Sequence, residues 1–181
     1  MLLGQLLKSV NKKYQTIDVR GISFNSLSVK KKYLFFAIEG NQTSGTKFIK
    51  DAISKGASII VSDKKIKYKN HKTPFLLVKD VRKSLSEASS NFYKKKPSNI
   101  IAVTGTNGKS SVANFFYQIL NFNKIPVASI GTLGIFSKNY TKKIKLTSMD
   151  PLALHKNLQI LKKKTQKYNC SYRHQWKIFS G

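Results

Sequence analysis

The chain has 181 residues, of which 40% are hydrophobic, and a formal charge of +27 from 34 Lys and Arg against 7 Asp and Glu. That is enough apolar sequence for one large domain or two small ones. No run approaches the roughly 20 apolar residues of a membrane span, so membrane insertion is not expected. The single cysteine, Cys170, excludes an internal disulfide framework and suits a reducing, cytoplasmic setting.

In chain order, MLLGQLLKSV predicts a short amphipathic helix over Leu2–Val10, without the small-residue cleavage site of a signal peptide. Tyr33–Ile38 (YLFFAI) reads as a strand, and Glu39–Gly45 (EGNQTSG) carries turn residues. Phe48–Lys55 has helical spacing and ends at Gly56. Ser58–Val61 and Phe75–Val78 read as strands, and Val81–Tyr93 as a helix with Leu85, Ala88 and Phe92 on one face. The charged stretch Tyr93–Asn99, with Pro97, marks a domain boundary. Taken together, the elements predict an α/β fold in two parts.

The second part begins with IIAVTGTNGKSS, residues 100–111. Ile100–Val103 reads as a buried strand running into a Gly-rich loop. Gly105 and Gly108 let backbone N–H groups turn toward an anion. Lys109 would reach terminal phosphates, and the Ser110 hydroxyl would sit on Mg²⁺. The positive end of a helix starting near Ser110 adds to the field. The full phosphate-loop pattern wants Gly at position 103, where Val103 stands. The bland alternative is a Gly-rich turn in an ordinary strand–helix–strand unit, but a Lys-Ser pair after the second Gly has no structural need. Val112, Phe115, Phe116 and Ile119 recur at helical spacing, and Val127–Ile130 is the next strand. Gly131–Gly134 (GTLG) follows a strand end directly, where loops of parallel sheets line ligand crevices, so this turn is expected to face the same site. Leu146–Pro151 is a loop and Leu152–Leu161 a helix.

The lysines occur in scattered short runs, without interleaved aromatics, and greatly outnumber arginine. We read the charge as compositional drift toward Lys, Asn and Ile rather than a specific nucleic-acid interface. Incidental polyanion binding at low salt follows either way. His71, His155 and His174 show no metal-site spacing, and Cys170 with His174 offers too few ligands for zinc.

These blocks resemble the Mur ligases, from about Gly21 to Leu161. The specific ones are VTGTNGKSS, GTLG and LTSMDPLALHK, against family patterns GTNGK[ST][ST], GT-x-G and an LTTPDP-like segment. The resemblance implies a small N-terminal α/β substrate-nucleotide domain over 1–96, then an incomplete P-loop-type parallel α/β central domain over 97–181. It implies that Gly105, Thr106, Asn107, Gly108, Lys109, Ser110 and Ser111 bind ATP, with Ser110 on Mg²⁺. Phe24 and Ser26 would contact the uridine, Asn41, Gln42 and Thr43 would line the same pocket, and Thr147 and Ser148 would hold the UDP-sugar. The branch it points to adds the third stem-peptide residue to UDP-N-acetylmuramoyl-L-alanyl-D-glutamate. A substrate carboxylate takes the γ-phosphoryl group, and an amine then displaces it. The third amino acid stays open at this stage.

The departures are specific. The Asp and Arg of a family triplet are Asn25 and Leu27, a loop Asp is Ser44, and the Pro before Asp150 is Met149. Residues 165–181 match no part of the pattern, the family's Mg²⁺-ligating Glu has no counterpart, and the C-terminal ligase domain is absent. The expectation is a truncated or inactive ligase lacking essential catalytic parts. The alternatives are a basic nucleic-acid-binding P-loop protein, another Mur-type ligase, or a different ATPase or kinase on the same loop.

Overall fold

The protein is described by a computed structural model covering residues 1–40, 44–65, 73–143, 149–166 and 176–180. It divides into two units, Met1–Phe92 and Tyr93–Gly181.

In the first unit, β1 (Gly21–Ser23), β2 (Tyr33–Phe36), β3 (Ala57–Ser62) and β4 (Phe75–Leu77) form a wholly parallel sheet in sequence order. Parallel strands are covered on both faces, which explains the unbroken apolar runs LFF and IIV. Phe35 and its cross-strand partner Ile60 are fully buried, packed with Val29 and with Ile49 and Ala52 of α2 (Ile49–Ser54). Leu3 and Leu6 of α1 (Leu3–Leu6) and Leu85 and Ala88 of α3 (Val81–Phe92) are also buried.

The helix expected over Leu2–Val10 is only the four residues of α1. The backbone there is drawn elsewhere: the N–H groups of Leu3 and Gly4 donate to Ile17 O and Gln15 O, and Leu7 is already extended. Strand β1 is not legible in the sequence, because three residues carry too little period.

The second unit holds β5 (Ile101–Val103), β6 (Val127–Gly131), β7 (Gly134–Ser137) and β8 (Trp176–Ser180), in spatial order β5-β8-β6-β7. Strand β8 lies parallel between β5 and β6, and β7 returns antiparallel beside β6. The tail that matched no family segment thus supplies a central strand. Helix α5 (Pro151–Gln166) buries Leu158 and Leu161 against Ala128, Ile130 and Ile135. Asp150 opens it by accepting from the Ala153 N–H at 2.8 Å, so the one carboxylate in this half of the sequence is used as a helix cap.

Helix α4 (Lys109–Phe122) packs differently from the expected stripe. Ala113, Phe116, Tyr117 and Leu120 face the sheet with Val103 and Val127, whereas Val112, Phe115, Ile119 and Phe122 are exposed. Apolar residues occupy both faces, so periodicity alone did not choose the inner one. Strand β5 is likewise less buried than expected. Its pairing is with β8, and Ala102 is exposed.

His155, on α5, has a buried Nδ1 with no hydrogen-bond partner among the described residues. Burial, and then the charge of Lys96, hold its pKa below the ordinary value of about 6.5. The unfolded chain therefore takes up the proton first. Stability is complete above about pH 6.5 and is lost as pH falls through the lowered folded value. Asp18 and Asp51 are also lowered, chiefly by hydrogen bonds from Lys32 and Lys55, but they act below about pH 4. We expect His155→Leu to flatten the stability loss between pH 7 and pH 5, read as urea midpoints at each pH. An unchanged slope would contradict this.

Candidate functional site

Strand β5 delivers the chain into the loop 104–108, and α4 begins at Lys109. Gly108 is the residue before the helix and has φ +76°, a left-handed conformation costly for any residue with a Cβ. A Cβ there would meet nothing within 4 Å, and one on Gly105 would meet only Asn107 O at 3.8 Å. The requirement for glycine at 108 is therefore one of backbone shape, with open space above the loop. Lys109 Nζ donates to Gly105 O at 2.6 Å and to Thr106 O at 3.1 Å, so the ammonium spans the loop that precedes it. Thr106, Asn107 and Ser111 are exposed, and Ser110 is half-buried.

The GTLG turn joins β6 to β7. Gly131 and Gly134 pair across the hairpin, leaving Thr132 and Leu133 as the connection. Thr132 Oγ1 lies 3.2 Å from Ser110 Oγ, so the turn does face the loop. The sequence indicated the turn but not this hydroxyl. The signal available was its place at the carboxyl end of a strand.

The arrangement can hold an anion: one ammonium and a helix N-terminus stand at a loop whose two glycines leave open space. It fits phosphate well. For Mg²⁺, the nearby oxygen donors on side chains are hydroxyls. No cluster of three His, Cys, Asp or Glu stands together among the described residues. A Mg²⁺ ion there would rest on Ser110, phosphate oxygens and water, a donor set that hard cation accepts.

In the first unit, Phe24 is partly exposed and Ser26 is buried. Ser26 is engaged internally: its side chain helps to lower the pKa of the Asp51 carboxyl, after Lys55, and its carbonyl accepts from Lys55 Nζ at 3.2 Å. Asn25, standing for the family's Asp, caps the turn at 26–28 by accepting from the Leu27 N–H. Asn41, Gln42 and Thr43 lie outside the described residues, as do Thr147 and Ser148. The ends of the 39–45 turn are described: Glu39 bridges Ser44, Glu39 pairs with Lys64, and Arg82 donates to Glu39 O at 2.7 Å.

Two family models match, one after the other. "Mur ligase family, catalytic domain" covers residues 18–93, and "Mur ligase middle domain" covers 103–170. The chain belongs to the Mur ligase family. Among curated relatives, the UDP-N-acetylmuramoyl-L-alanyl-D-glutamate–2,6-diaminopimelate ligase of Rickettsia conorii is 44% identical over 147 residues, 79% of this chain and 30% of that protein. The ligase of the same name from Brucella melitensis is 39% identical over 142 residues, 78% of this chain and 29% of that protein. A solved structure of a ligase of this name matches the fold with a TM-score of 0.78 at 20% identity, covering all of this chain and 36% of that one. MurF ligase from Thermotoga maritima in complex with ADP matches with a TM-score of 0.52 at 21% identity, over 89% of this chain and 32% of that one.

These findings correct the functional expectation. The relatives are named for one third amino acid, 2,6-diaminopimelate, which the sequence reading left open. The chain spans about 30% of their length, so what it lacks measures coverage and gives no ground for inactivity. Both units match models of the same family, and the relatives are named as ligases. Among the described residues, no helix is long and apolar enough to cross a membrane.

Proposed function

We propose that this chain supplies the UDP-substrate unit and the nucleotide-phosphate loop of a ligase joining 2,6-diaminopimelate to UDP-N-acetylmuramoyl-L-alanyl-D-glutamate. The observation that carries the reading is the loop 105–111, set at the end of β5 and preceded by a parallel α/β unit, in the order of the two family models. Gly105, Thr106, Asn107, Gly108, Lys109, Ser110 and Ser111 bind the phosphates of ATP, and Ser110 carries Mg²⁺. Phe24 and Ser26 lie on the uridine side, with Asn41, Gln42, Thr43, Thr147 and Ser148 completing the substrate contacts. The peptide carboxylate takes the γ-phosphoryl group, and the diaminopimelate amine displaces phosphate to form the amide. Mg²⁺, when bound, neutralises charge on the phosphates. Lys109 and the loop amides hold the transferring group in place. The reaction is assigned to the cytoplasm, the setting that a lone cysteine suits.

Two separate titrations of the 181-residue chain test this, one with UDP-N-acetylmuramoyl-L-alanyl-D-glutamate and one with ATP and Mg²⁺. Saturable binding of both is expected. Phe24→Ala should weaken the first by about fivefold, the worth of one partly exposed aromatic contact, and leave the second unchanged. Failure to bind either ligand would overturn the reading.

A further inference from the structure

We propose that Thr132 is a positioning residue for the phosphate site, acting through the hydroxyl of Ser110. The proposal rests on the nucleotide reading of the loop and extends it to a residue outside the loop motif. A serine hydroxyl turns freely about its C–O bond. To offer a lone pair to a cation, it must send its hydrogen elsewhere. Thr132 Oγ1, 3.2 Å from Ser110 Oγ, is placed to accept that hydrogen.

The position of Thr132 is fixed by the fold. It sits on the two-residue connection of the β6–β7 hairpin, with Gly131 and Gly134 paired beneath it. Gly134 has φ +126°, and a Cβ on it would lie 2.7 Å from Lys142 O. That close approach is locked by reciprocal hydrogen bonds, Ile135 N–H to Lys142 O at 2.8 Å and Lys142 N–H to Ile135 O at 2.9 Å. On the other side, β6 pairs in parallel with β8 inside the sheet. The hydroxyl is thus held by paired strands while remaining exposed at its tip. Ser110 is fixed by the first turn of α4. In a unit whose one described carboxylate, Asp150, is used as a helix cap, hydroxyl orientation carries more of the metal's environment than it would beside an acidic ligand.

Calorimetric titration of the full chain with ATP, with and without Mg²⁺, tests this on four proteins: the parent, Thr132→Val, Thr132→Ser and Lys109→Met. The readout is the gain in ATP affinity caused by Mg²⁺. Thr132→Val should cut that gain by about fivefold to tenfold, the equivalent of one hydrogen bond in a charged network, and Thr132→Ser should retain it. ATP affinity without metal should be the same in all three. If Thr132→Val keeps the full gain, or loses affinity equally with and without Mg²⁺, the positioning role is wrong. If this occurs while Lys109→Met weakens binding by about tenfold or more, the nucleotide reading survives alone. If Lys109→Met binds as the parent does, or the parent binds no ATP, both fall together.

Discussion

Lys109→Met is expected to weaken ATP binding by about tenfold to a hundredfold, the equivalent of about 1.5–3 kcal/mol for hydrogen bonds to a charged group. The ammonium already lies across the loop, donating to Gly105 O and Thr106 O. Those two bonds hold it at the loop, so phosphate oxygens entering there would meet a charge whose position is set in advance. Methionine keeps the length and much of the packing of the side chain while removing the charge and all three donors. A chain of net charge +27 attracts any polyanion, so loss of one positive charge needs a control. Lys138→Met removes the same charge from an exposed position. It should change affinity less than about twofold at physiological salt, where exposed charges more than about 8 Å away are screened. Equal effects of the two substitutions would mean that the loop is not the binding site.

The phosphate loop was legible because its chemistry is local. Two glycines, a lysine and a hydroxyl within six residues define it before any packing is known. Strands β2 and β3 were legible because parallel strands buried on both faces show as unbroken apolar runs. Helix α4 was legible as a helix but not in its orientation. Apolar residues lie on both of its faces, and only the sheet distinguishes Phe116 from Phe115. The contact between Thr132 and Ser110 joins the β6–β7 hairpin to a residue 22 positions earlier in sequence. Strand β8 depends on insertion between two strands formed much earlier in the chain. Neither is encoded in a window of a dozen residues. Ser26 is the instructive case in the first unit. A motif assigned it to substrate, while its neighbours in space, Asp51 and Lys55, also give it an internal role that sequence could not reveal.

The same unit yields the largest expected effect on stability. Phe35→Ala should cost about 3–5 kcal/mol, whereas Leu27→Ala should change stability by less than about 0.5 kcal/mol. Both remove a large apolar side chain, but Phe35 is 0% exposed and Leu27 is 79% exposed. Phe35 also has no easy way to collapse the space it would leave. Its backbone is fixed between Ser23 of β1 and Ile60 of β3, and its ring packs among Val29, Ile49, Ala52 and Ile60. A paired strand cannot move inward without breaking its ladder, so most of the cavity would persist and its lining would lose contacts outright. Against a typical domain stability of about 5–15 kcal/mol, this is about a fifth or more of the total. Strand β2 also carries the chain toward Glu39, whose partners Ser44, Lys64 and Arg82 stand at the ends of the turn proposed to contact substrate. Binding of the UDP-linked substrate should therefore weaken in Phe35→Ala at temperatures where the parent is still folded. Urea unfolding of the two variants beside the parent measures the first effect, and similar midpoints for Phe35→Ala and Leu27→Ala would refute the burial argument.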